Sequence, residues 1–196
     1  IDRLEEPMAR HICLGYLLCR VADTIEDAGH IPPETQTELL STYDAVLDPD
    51  GERSVASFMD DVEPWIPDER TDDWEVVAET PRVLRTFESL EETPREIMRE
   101  PVRELVDGMA MFTSRYANEG GLRLQTIEEL EEYCWYAAGT VGTLITGLVA
   151  RGSSQERAEE MRENARSFAL LLQLVNIAKD VDDDYHEENN VYLPAE

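Results

Sequence analysis

The sequence predicts an all-α fold, a single helical bundle. Two observations carry the all-α part. Apolar residues recur at steps of three and four along most of the 196 residues, the period of a helix with one buried face. Gly and Pro clusters interrupt this pattern at intervals, and no stretch alternates in the manner of a strand.

The elements follow in order. Residues 3–28 read as a first helix, ended by Gly29 and Pro32-Pro33. A second runs from about 34 to 47, before the turn Asp48-Pro49-Asp50-Gly51. Residues 52–66 and 72–91 read as two more, with Phe58, Val62, Val77, Leu84 and Phe87 inward and Pro81 kinking or splitting the second. Pro94 opens a helix over 95–117, with Met98, Val102, Leu105, Met109 and Phe112 inward and Pro101 as a possible kink. After Gly120-Gly121, Thr126 caps a helix to about 150 in the form T-x-x-E with Glu129. The last helix starts near 155 and runs into an acidic cluster. Seven or eight helices in one domain over 1–196 are expected, enough chain for a sizeable core.

The composition excludes some functions. With 44 acids against 17 bases the formal charge is -27. No basic patch is available to meet phosphates, which argues against nucleic acid. The bases are 16 Arg and one Lys, Lys179. An acidic, lysine-poor surface suggests adaptation to high salt, where screening weakens self-repulsion. Cys13, Cys19 and Cys134 sit in apolar helical contexts with no zinc spacing, so buried thiols in a reducing cytoplasm are expected. No signal peptide stands out, and no apolar run reaches the roughly 18 residues of a membrane span. The chain begins with Ile and stops just after Leu-Pro, as a partial record of a longer protein would.

Two stretches carry chemistry. In the first helix Tyr16, Arg20, Asp23 and Asp27 follow at helical steps, with Glu26 beside them. In the last, Gln173, Asn176, Asp180, Asp183 and Asp184 do the same. There Leu171, Leu172, Leu174, Val175 and Ile177 cover the other sides, so the helix is expected to be buried. Buried carboxylates need partners. Two facing acidic stripes offer hard oxygens of the kind Mg²⁺ takes together with water and phosphate oxygens. The D-x-x-x-D spacing alone is weak in so acidic a chain. Asp44/Asp48 and Asp68/Asp72 share it and read as solvated faces.

At these residues the chain resembles the squalene and phytoene synthases, the head-to-head prenyl synthases. YLLCRVADTIED is similar to their first aspartate-rich motif, and LLLQLVNIAKDVDDD to their second, Q-x-x-N-I-x-R-D-x-x-E-D. YCWYAAGTVG at 133–142 resembles Y-C-x-x-V-A-G-x-V-G, and VYLP at 191–194 resembles the segment after the second motif. The resemblance implies an isoprenoid-synthase-type helical bundle with a central cavity, in which Asp23, Glu26, Asp27, Asp180, Asp183 and Asp184 bind Mg²⁺ bridging two prenyl diphosphates. Tyr133, Arg20 and Tyr16 would be catalytic, and Arg20, Gln173, Asn176, Lys179 and Tyr192 would hold substrate. Two farnesyl diphosphates would give squalene through presqualene diphosphate, with NADPH as reductant. Phytoene from two geranylgeranyl diphosphates, without reduction, is the alternative. Another all-α terpene enzyme and a non-catalytic acidic module are less favoured. A lipid product would favour a cytoplasmic enzyme in transient contact with membrane.

The small residues Ala137, Gly139, Val141 and Gly142 admit two readings, close helix packing or room for a ligand. Glycine costs about 1 kcal/mol per helix position relative to Ala, so some gain must offset it. Beside the acidic stripes, a prenyl chain lying on this face is the favoured reading. The chain departs from the family pattern in places. Lys179 stands where Arg is usual and loses the bidentate fork. Asn190 stands where Arg usually precedes the Y-L-P segment, so one diphosphate contact is expected to be missing.

Overall fold

The structure, a computed structural model, describes residues 4–186 and 189–194. Helix α1 spans Met8–Glu26, so residues 4–7 are not part of it; the expected start at residue 3 lies outside the described residues. Pro7 sets the boundary, because the residue before a proline is pushed off helical geometry. Helix α2 is Pro33–Leu47, with its proline in the first turn. Ser54 caps α3, Val55–Val62, which passes into a 3-10 turn at Glu63–Trp65. Thr71 caps α4, Asp72–Ala78, and α5 follows as Thr80–Glu88. The expected split at Pro81 is therefore present. Helix α6, Glu92–Arg115, carries Pro94 in its first turn and continues through Pro101.

The predicted helix 126–150 is three pieces. Helix α7 is Ile127–Cys134, a π-helical turn covers Trp135–Gly139, and α8 is Thr140–Ala150. Thr126 Oγ1 accepts the Glu129 N–H at 3.2 Å, and Glu129 Oε2 accepts the Gln125 N–H at 2.8 Å. Helix α9 runs from Gln155 to His186. The described residues thus hold nine α-helices and no strand beyond one parallel bridge, Arg123 with Val191.

Helix α6 is the axis of the bundle. It buries Met98, Val102, Leu105, Val106 and Met109 against α1, α2 and α8. Arg103 on α6 clasps Asp44 with two bonds of 2.8 and 3.0 Å and reaches Asp48 at 3.0 Å. Asp44 and Asp48 are therefore a helix-to-helix tie rather than only a solvated face. Buried Tyr43 donates to the Leu18 carbonyl at 3.0 Å and fixes α2 on α1. A second apolar cluster, including Phe112, Leu130, Tyr133, Ile177 and Tyr192, joins α6 and α7 to the far end of α9.

Helix α9 corrects one expectation. It is not buried: Phe168 is 62% exposed, Leu171 57%, Leu172 49% and Val175 53%. One flank rests on α7, the π turn and α8. No described element packs on the other, and the apolar residues there are left facing outward. The run Ile127–Ala150 also differs from expectation, since it is long and apolar enough to cross a membrane by composition alone. Leu130, Tyr133, Leu144 and Leu148 of that run are buried in the bundle, as in a core helix.

Candidate active site

The two acidic stripes meet. A cavity of about 210 Å³ is bounded by Arg20, Asp23, Glu26 and Asp27 of α1 and by Gln173, Asn176, Asp180 and Asp184 of α9. Met109, Ile177 and Ala137 give it an apolar floor, and Tyr133 and Tyr192 close one side. Its volume falls below the roughly 300–1,000 Å³ of a drug-sized ligand pocket. It suits a charged head group with its ions, and a prenyl chain would have to extend beyond it.

Several long-range contacts hold this geometry. Gln36 of α2 donates to the carbonyls of Ile25 at 2.9 Å and Glu26 at 2.6 Å. It thereby satisfies the C-terminal end of α1 where the acids sit. Arg20 Nε donates to the Tyr16 hydroxyl at 3.2 Å, and the guanidinium lies 3.9 Å from Asp23 and 3.5 Å from Asp73. Tyr133 donates to the Tyr192 hydroxyl at 3.3 Å.

The carboxyls are strained electrostatically. Burial pushes Asp23 up to about 6, with Asp73 adding and Arg20 opposing. Asp27 is pushed up to about 6 as well, by desolvation among its neighbours and then by the Asp23 charge, although its side chain is open to solvent on one side. Asp184 is raised by burial, then by Asp180 and Asp183. Burial, followed by the Glu26 charge, lifts the Tyr133 phenol well above its ordinary value. At neutral pH Tyr133 is therefore a neutral hydroxyl that donates a proton or hydrogen bond, not a phenolate base.

These acids fit a divalent cation. They are hard oxygen donors, five carboxylates lining the cavity with Arg20. Among the described residues no three His, Cys, Asp or Glu converge as a ready-made metal cage. Mg²⁺ takes one or two carboxylates and completes its shell with water and phosphate oxygens.

Not every expected residue reaches the cavity. Tyr16 is half exposed and stands behind Arg20. Asp183 is exposed, off the cavity. Lys179 is exposed and pairs with Asp180 at 3.1 Å. Gly139, Val141 and Gly142 lie outside the lining. Gly139 backs onto the Trp135 indole, and a Cβ on Gly142 would stand 2.9 Å from that of Ala169. Both glycines thus serve close packing in this structure. Sequence reasoning missed Asp73, which meets Arg20 only because α4 folds back on α1, and it took Met109 for core alone. It also missed Gln36, whose position carries no motif.

A helical bundle with two facing acidic helices over a small polar cavity belongs to the isoprenoid-synthase class of folds. The sequence profile described as squalene/phytoene synthase matches residues 1–196, and the chain belongs to that family. The squalene synthase of Schizosaccharomyces pombe is 26% identical over 197 residues, covering 100% of this chain and 40% of its own length. The presqualene diphosphate synthase of Botryococcus braunii is 27% identical over 192 residues, covering 96% of this chain and 42% of its own length. A solved complex of TcSQS with a ligand superposes with a TM-score of 0.76 at 26% identity, over 97% of this chain and 51% of that one. The chain thus spans about two fifths of the length of the curated relatives it matches.

Proposed function

We propose that this chain carries the diphosphate-binding site of an enzyme that joins two prenyl diphosphates head to head. The observation that supports this most is the meeting of Asp23 and Asp27 with Asp180 and Asp184 across one cavity beside Tyr133. Asp23, Glu26, Asp27, Asp180 and Asp184 would hold Mg²⁺, and Asp183 would deepen the negative field from outside. Bound Mg²⁺ would neutralise the departing diphosphate and so favour ionisation of the allylic donor.

The chain's own groups have distinct tasks. Arg20 turns from Asp73 to a diphosphate oxygen, held in place by Tyr16. Gln173 and Asn176 orient the head group through their amides. Tyr133 turns its one hydroxyl proton from Tyr192 to the leaving oxygen. Met109, Ile177 and Ala137 keep water from the allylic cation. Lys179 keeps a positive charge beside Asp180. A prenyl chain running on toward Gly139, Val141 and Gly142 would have to part α8 from α9, which are already in contact there.

The finer reading is squalene from two farnesyl diphosphates, with NADPH supplying hydride. The Schizosaccharomyces pombe relative favours it. A second reading, arrest at the cyclopropyl diphosphate, is favoured by the Botryococcus braunii relative. The test is product analysis in high salt with Mg²⁺ on farnesyl or geranylgeranyl diphosphate, each with and without NADPH. An NADPH-dependent C30 hydrocarbon supports squalene synthesis, and a C30 diphosphate supports arrest. A C40 triene from geranylgeranyl diphosphate without NADPH would move the reading to phytoene. No product from either donor in folded protein would overturn the proposal.

A further inference from the structure

Asn190 joins three parts of the molecule at once. Its backbone N–H donates to the Asp184 carbonyl at 2.8 Å, which caps the acidic end of α9. Its side-chain Oδ1 accepts the Leu122 N–H at 2.8 Å, from the loop that follows α6. Its Nδ2 donates to the Tyr192 hydroxyl at 3.1 Å, and that hydroxyl accepts from Tyr133. The residues around it brace the same crossing. The Val191 N–H donates to the Leu122 carbonyl at 2.8 Å, and the Leu124 N–H donates to the Val191 carbonyl at 3.1 Å. Arg123 donates to Asn189 Oδ1 at 2.6 Å and to the Asn189 carbonyl. Asn189 in turn donates from Nδ2 to the Gly120 carbonyl at 2.8 Å, with its backbone at φ 57.

We propose that Asn190 is a positioning residue for the cavity, not the vacant remnant of a diphosphate contact. Both ends of its amide are engaged within the crossing. Through them it sets the Tyr192 hydroxyl against Tyr133 and ties the Asp184 end of α9 to the loop 120–124. Asn190 itself faces an adjoining cavity of about 370 Å³ on the far side of Glu26 and Asp27. A longer cationic side chain at this position could enter that cavity only by giving up the Leu122 and Tyr192 bonds. The inference rests on the reading of the acidic cavity as a diphosphate site.

The experiment compares Asn190→Ala, Asn190→Arg and Tyr192→Phe with the unmodified chain, by steady-state turnover and by amide hydrogen exchange. Exchange at Leu122 should quicken by about tenfold in Asn190→Ala, the effect of one lost hydrogen bond. Because misplacement by about 1 Å costs up to about a hundredfold, kcat should fall ten- to a hundredfold in both Asn190 variants. KM for the prenyl diphosphate should stay within about twofold. Tyr192→Phe should lower kcat and leave Leu122 exchange unchanged, since it removes only the tyrosine arm. A lower KM in Asn190→Arg with kcat intact would overturn the proposal and mark position 190 as a vacated ligand site. Unchanged Leu122 exchange in Asn190→Ala would overturn it too. Exchange does not depend on turnover. A chain that makes no prenyl product, yet loses Leu122 protection in Asn190→Ala, would sink the reading of the cavity while leaving the crossing in place.

Discussion

Replacing Asp23 by Asn should make the metal-free protein more stable while abolishing turnover. Burial disfavours the Asp23 charge and pushes its carboxyl up to about 6, against 3.8 for a free aspartate. A carboxyl whose folded pKa lies above its unfolded one favours folding while it holds its proton. That advantage is complete below about pH 4 and is lost as pH rises through about 6. Rather more than two pKa units, at about 1.4 kcal/mol each, make the swing about 3 kcal/mol. Asp23 is 27% exposed, and Arg20 loses a partner 3.9 Å away, so we expect a net gain of about 1–2 kcal/mol at pH 7.5. For a chain of this size that raises Tm by about 2–8 °C. Thermal unfolding followed by circular dichroism, in chelator at pH 7.5 and again at pH 4.5, reads it directly. The gain should be present at the higher pH and shrink to under about 1 kcal/mol at the lower. If Asp23→Asn melts below the parent protein at pH 7.5 in chelator, the buried carboxylate is already satisfied and the reasoning fails.

Three further outcomes follow from the same geometry. Mg²⁺ affinity, measured by calorimetry, should rise as pH passes upward through about 6, because Asp23 and Asp27 must lose their protons to bind it; a flat profile from pH 5 to 8 would contradict this. Gly142→Ala should destabilise by about 1–3 kcal/mol in a denaturant titration, since the new Cβ would stand 2.9 Å from that of Ala169. A more stable Gly142→Ala protein would mean that α8 and α9 are not held together there. Arg103→Ala should cost about 1–3 kcal/mol by releasing Asp44 and Asp48 from α6, and high salt should recover little of it because the pair is half-buried.

The helices were legible because their signals are local. Pro81 split a helix where expected, and Thr126 capped one with Glu129 answering. The acidic stripes were legible from steps of three and four, and the cavity gathers most of both. What escaped the sequence depends on neighbours distant along the chain. Lys179 and Asp183 carry the same motif spacing as Asp180 and Asp184 but face outward. Their direction depends on how α9 is rotated against α8. The outward apolar side of α9 was misread because periodicity reports what a helix could bury, not what lies beside it. Asp44 and Asp48 differ from the other D-x-x-x-D pairs only through Arg103, about 55 residues away. The π turn at Trp135–Gly139 carries no local sequence signature.

The single lysine has a practical consequence. Within these 196 residues there is one ε-amine, and it is 70% exposed beside Asp180. An amine-reactive fluorophore would therefore find one side chain, one residue from the acidic stripe, with a chain's α-amine as the competing amine. Any ion or head group bound at Asp180 would alter the dye's surroundings. Sixteen arginines leave that chemistry undisturbed, since guanidinium does not react with such esters. The composition that keeps the surface acidic has also left the chain with a built-in place for an optical reporter at its cavity.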